Sequence, residues 1–285
     1  MAEPLNLLRD LTKFVQKNPK SSGVGLLDKF KDGQLFILPI NGLILDNGGE
    51  ALPEEARLPF PTIVMEFESE LDPSITDDDL AQQMDKMSFI NNIYDRHIVF
   101  AKETDDEKIR IGLASKFKPG GKYRNAWNCA PFLMEVPRKR APDGAFECKI
   151  IPNHVNSMSY DSPEVSWAEM GLTLLKPAFK ALAELLEALA CSNVRAEKNV
   201  NKKRVAGRRP GELPYDDYHE LVVYTSRSGQ RNEEGVSLDS GPKRREHLRR
   251  GHIRTYKTGL KIWVQAHVVN AGTLGKVNKH YKIAN

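Results

Sequence analysis

Hydrophobic positions along this chain fall into stretches of helical and of strand-like period. Near the start, Leu7, Leu8, Leu11, Phe14 and Val15 recur at helical spacing and predict a short amphipathic helix. Small residues and glycines at 21–25 end it. Two apolar runs, 34–40 and 43–46, then flank Asn41-Gly42, which predicts a β-hairpin. Pro39 would place the first of these strands at an edge or a bulge. Residues 61–67 predict another strand, and Thr76-Asp77-Asp78-Asp79 before Leu80 predicts a capped helix start. Strands are expected at 96–102 and 108–114 around a Thr104-Asp105-Asp106 turn, with Ile109, Ile111 and Leu113 alternating inward. A further pair, 131–136 and 145–151, surrounds Pro142-Asp143-Gly144.

The strongest helical pattern covers 163–192, where Trp167, Met170, Leu174, Ala178, Leu182, Leu185 and Leu189 keep helical spacing. Pro163 suits its first turn, and Pro177 should kink or split it. Leu182, Leu185, Leu186 and Leu189 nearly surround its second half. That pattern suits either a core helix covered on two sides or a homo-oligomer interface through 164–191. The fold class expected is α+β: a mostly antiparallel sheet body, a long central helix and a basic C-terminal β unit.

Charge changes this picture more than composition does. The net charge of +4 conceals an asymmetry. Residues 195–285 hold 20 Lys+Arg against 9 Asp+Glu, whereas the preceding residues hold 22 against 29. Three units follow: an acidic body at 1–192, a basic arm, strand and loop at 193–242, and a basic β-hairpin unit at 243–285. An acidic body with a basic tail points to a polyanionic partner. The most apolar stretch carries Glu169, Lys176, Lys180, Glu184 and Glu187, too many charges for an ordinary membrane span. Cys129, Cys148 and Cys191 have no CxxC spacing, which favours a reducing, cytoplasmic setting over a disulfide framework.

The candidate chemistry lies in the basic segment 243–264. Taking 250–256 and 261–264 as paired strands around a four-residue turn, Lys257-Thr258-Gly259-Leu260, opposes Arg254 with Trp263 and Ile253 with Val264. Alternation then sorts the faces. Ile253, Thr255, Ile262 and Val264 form a core face, and Arg250, His252, Arg254, Tyr256, Lys261 and Trp263 form an outward one. Such a face offers cations to phosphates and rings to bases, the combination used in single-strand recognition. Arg244, Arg245 and Arg249 add charge beside it, and Lys202, Lys203, Arg204, Arg208 and Arg209 form a basic arm able to hold phosphates.

The stretch REHLRRGHIRTYKTGLKIWVQAHVVN also resembles a segment of uncharacterised tailed-bacteriophage proteins, in which a basic HxRRGHxR run precedes a glycine turn and a KxIWV strand. The resemblance covers about the last 45 residues and implies a phage setting and action in the host cytoplasm, with no activity attached.

Signatures of other chemistry are missing: there is no Walker A loop, GxGxxG, GxSxG, HExxH or paired CxxC. Asp216, Asp217, His219 and Glu220 form the best acid cluster, which could suit a magnesium-dependent nuclease but fits better a turn and capping segment leading into a strand. The expectation is therefore a non-enzymatic DNA-binding protein, with single strands favoured, no cofactor and no metal, serving phage replication or transcription. The alternatives are docking on an acidic host protein and the nuclease.

Overall fold

The structure is a computed structural model that describes residues 6–19, 27, 29–30, 33–44, 52–53, 55–70, 94–117, 126–139, 147–153, 167–200, 217–224, 247–249, 252–264, 267–269 and 282–284. The predicted helix start at Thr76-Asp79 and the turn at Pro142-Gly144 lie outside the described residues. Helix α1 (Leu7–Lys17) presents Leu7, Leu11 and Val15 on one buried stripe. Its opening residue Asn6 gives no side-chain cap; instead the buried Glu66 carboxylate accepts the Leu8 N–H at 2.7 Å. A negative group at that end satisfies an orphan donor and opposes the positive end of the helix dipole.

The core is a ten-stranded mixed sheet. It contains β1 (Gln34–Ile37), β2 (Thr62–Glu68), β3 (Tyr94–Glu103), β4 (Lys108–Phe117), β5 (Trp127–Cys129), β6 (Phe132–Pro137), β7 (Lys149–Pro152), β8 (Val194–Asn199), β9 (Tyr218–Tyr224) and a late strand, Lys282–Ala284. From β2 to β7 the pairing is antiparallel, as the alternating runs imply. β1, however, is parallel to both β2 and β9, and the late strand is parallel to β9. The sheet is thus mostly antiparallel, as expected from sequence, and is made mixed by the parallel pairings of β1 and of the late strand.

The Asn41-Gly42 hairpin is also corrected. Both residues take positive φ, 64° each, so the tight turn forms. The chain beyond it does not return along β1. Leu38 N–H instead bonds the Glu66 carbonyl, and Ile44 N–H reaches the buried Glu184 carboxylate at 3.0 Å. β1 therefore sits between two neighbours and ends at Ile37 ahead of Pro39, neither an edge nor a bulge.

Alternation along the strands splits the buried residues between the two faces of the sheet. Leu35, Val64, Ile98, Phe100 and Leu133 pack with α1, whereas Phe36, Ile63, Met65, Val99, Ile111 and Met134 pack with α2 (Trp167–Leu189). Helix α2 runs unbroken through Pro177, so the proline does not split it. Ala181, Leu182, Ala183, Leu185 and Ala188 are fully buried and Leu186 nearly so, within this single chain. The apolar surplus that suggested a subunit interface is taken up by the chain's own sheet. No helix among the described residues is long and apolar enough to cross a membrane.

The segment after α2 joins this same core. β8 pairs with β9 across six positions, from Val194–Val223 to Asn199–Tyr218, so the sheet continues past the boundary drawn at 192 by charge.

Candidate nucleic-acid interface

The basic C-terminal segment contains two short antiparallel pairings, of which the one next to the turn forms a two-stranded ribbon. The ribbon is β11 (His252–Thr255) against β12 (Lys261–Val264), and the other pairing is β10 (His247–Arg249) against β13 (His267–Val269). Pairing steps evenly from Thr255–Lys261 to His252–Val264, and the same step leads to Arg249–His267 and His247–Val269. Both pairings therefore share one antiparallel register around one turn.

That turn is one residue shorter than expected. Gly259 N–H bonds the Tyr256 carbonyl, Tyr256 N–H bonds the Leu260 carbonyl, and Gly259 has φ 81°. This is a type I turn closed by a left-handed glycine, enclosing Lys257-Thr258-Gly259. With Lys257 to Gly259 as the loop, Arg254 opposes Ile262 and Ile253 opposes Trp263. A slip of one residue exchanges the faces of one strand relative to the other.

The consequence for the candidate residues is specific. Trp263 is turned inward, 5% exposed, into the core cluster that includes α2, with Ile253 packed against it. It cannot serve as an open stacking platform, and the expected Arg254–Trp263 pair does not form. Lys261 also lies on the inner side and reaches Glu187 of α2 at 3.5 Å. His252 and Arg254 remain outward, now sharing a face with Ile262 and Val264 rather than with Trp263. Arg254 instead stacks its guanidinium 4.8 Å from the Tyr256 ring centre.

What fixes the ribbon is a clamp at the end of α2. Asn193 accepts the Trp263 N–H at 2.8 Å and donates to the Trp263 carbonyl at 3.0 Å, while Ser192 N–H donates to the Lys261 carbonyl at 2.9 Å. These bonds occupy the outer edge of β12, which would otherwise expose unpaired backbone groups. Beyond the clamp, residues 254–260 are exposed without a break.

Some cations elsewhere among the described residues sit beside carboxylates, as Arg96 by Glu68, Arg110 by Glu135 and Lys198 by Asp217 do, while others such as Lys102 and Lys176 stand alone. Among the described residues, Arg254 and Lys257 have no carboxylate partner. Of the other candidate phosphate ligands, Lys202, Lys203, Arg204, Arg208, Arg209, Arg244, Arg245 and Arg250 lie outside the described residues. Arg249 is placed by its backbone in β10. The Lys202 arm nevertheless has fixed ends. It belongs to the connection 200–217 between two paired strands, whose base is closed by Asn199 opposite Tyr218 and by Asn199 donating to Glu220.

The acid cluster does not converge. His219 is buried, stacked on Phe36 at 5.1 Å between ring centres, with Nδ1 3.3 Å from the Leu35 carbonyl oxygen. Asp217 faces Lys198, Glu220 binds Asn199, and Asp216 lies outside the described residues. No group of three metal-ligating side chains occurs among the described residues.

One polar pair escaped the sequence reading. His97 and Ser115 are cross-strand partners on β3 and β4, with His97 Nδ1 2.9 Å from Ser115 Oγ. Together with Tyr94, Asn128 and Leu174 they line a small cleft. Burial lowers the His97 pKa to about 4, so its ring is neutral at physiological pH and its opposite side lies stacked along Phe67. The signal was available: counting back from the Thr104 turn pairs these two residues. Burial likewise raises the Cys191 thiol to about 11, the wrong direction for a nucleophile.

No protein-family model matches the chain, and neither a curated protein nor a solved structure shows significant similarity to it.

Proposed function

We propose that this protein binds DNA through the exposed end of its C-terminal ribbon, with the basic connection 200–217 supplying further phosphate contacts. The observation that carries the reading is the pair Arg254–Tyr256: an exposed cation without a carboxylate partner among the described residues, stacked on an exposed ring, in the basic third of the chain. Cations of this kind release counterions when they meet phosphates, and a flat ring can stack on a base. Tyr256 takes over the stacking role expected of Trp263. With one ring where two were expected, the preference for single strands over duplex loses its main support.

The tailed-phage resemblance of the same segment favours action in the host cytoplasm during replication or transcription. Docking on an acidic host protein would use the same charges without the ring, so the ring is the discriminating element. A double substitution, Arg254→Ala with Tyr256→Ala, should weaken DNA binding by roughly 10- to 100-fold, the loss expected for one stacked base and one phosphate contact. Both side chains are exposed, so thermal stability should hardly change. Unchanged affinity in fluorescence anisotropy would place the interface elsewhere.

A further inference from the structure

The outward face of the ribbon is divided along its length. On β11 and the turn it carries His252 and Arg254, then Tyr256; opposite them stand Val264, Ile262 and, across the turn, Leu260. Each cross-strand pair therefore sets a basic or aromatic residue against an aliphatic one. Leu260 is 46% exposed and Tyr256 39% exposed, so the tip presents apolar surface in the midst of positive charge. A solvated basic hairpin has no need of a leucine there, because exposed apolar area is favourably removed from water. A Cβ built on Gly259 meets nothing within 4 Å, so among the described residues nothing crowds that side of the turn.

From this division we infer that the ribbon enters the minor groove of duplex DNA and wedges Leu260 between base pairs, kinking the helix. The inference rests on the DNA-binding reading above and names its substrate. The apolar row on β12 matches the deoxyribose walls of the groove and the faces of unstacked bases, and the basic row on β11 matches the phosphates of one strand. Apolar wedges flanked by cations are a general means of opening the minor groove and bending DNA. Leu260 follows directly on the clamped Lys261, opposite Tyr256 at the base of the turn, so the wedge is held at a fixed place on the outward face. The clamp supplies stiffness, since Asn193 and Ser192 fix β12 at Trp263 and Lys261, immediately behind the tip. A wedge on a loose arm would fold back rather than force a base step apart.

Flexible steps such as TA and CA/TG unstack most readily, so bending should concentrate there. The test uses the full-length chain and a duplex of about 30 base pairs carrying one central TA step, with a fluorophore at each end, alongside a single strand of the same length. Energy transfer across the duplex should rise on binding, as expected for a kink of roughly 20–90°. Leu260→Ala should abolish that rise and weaken duplex binding about tenfold while changing single-strand affinity less than twofold, since only the wedge's burial is lost. Leu260→Met should retain the bend, which separates wedge size from any effect on the turn. Duplex binding with no change in energy transfer, or with a change that Leu260→Ala leaves intact, overturns the wedge while DNA binding stands. Binding to neither DNA overturns both readings together.

Discussion

Trp263→Ala should destabilise the protein by about 3–5 kcal/mol, the range for deleting a large buried aromatic side chain. The indole is buried in the core cluster that α2 also joins, and the Trp263 backbone forms both bonds of the Asn193 clamp. Its loss would leave a cavity under the ribbon and weaken the hold on β12. Urea unfolding should show a clearly lower midpoint, and DNA affinity should fall only as far as the ribbon loosens. A variant with wild-type stability and selectively lost binding would return Trp263 to the interface, contrary to its burial here.

Acid should be the second large lever. His97 titrates at about 4 when folded, because burial disfavours its charged form, against 6.5 for an ordinary histidine. Below the unfolded value the unfolded chain takes up a proton that the folded chain refuses. Stability is therefore intact above pH 6.5 and falls as pH drops toward 4, by about 3 kcal/mol in all and about 2 kcal/mol by pH 5. His219 is shifted in the same direction by burial and adds to the loss. Asp95 acts the other way, since burial raises its carboxyl and protonation relieves that cost near the bottom of the range. Ser115 is the polar partner of the His97 ring, and Phe67 covers it. Urea melts at pH 7 and pH 5 should differ accordingly for the wild type and by much less for His97→Asn. Equal slopes in the two proteins would remove His97 as the cause.

The parts of this fold that sequence anticipated were those set by local pattern. Ile109, Ile111 and Leu113 alternate, and β4 buries them as read. The Asn41-Gly42 turn also formed, because positive φ is cheap for those residues. Its partner strand did not follow, since β1 pairs in parallel with β2 and β9, and parallel partners are joined by long connections that local pattern does not encode. The ribbon shows how small the margin is. Whether three or four residues make its turn decides whether Trp263 faces water or α2, and Gly259 permits the shorter choice. The exposure of Arg254 and Tyr256 was legible because they stay outward in either register. Asn193 was not: its role depends on a contact across 70 positions of sequence.

The most direct test of the central claim is fluorescence anisotropy of the full-length protein with labelled single-stranded and duplex DNA at two salt concentrations. Binding through Arg254, Lys257 and the basic connection 200–217 predicts measurable affinity at low salt that falls steeply as salt rises, because counterions released from phosphates must be displaced anew. An absence of binding to either DNA at low salt would contradict the account and turn the exposed cations toward an acidic protein partner.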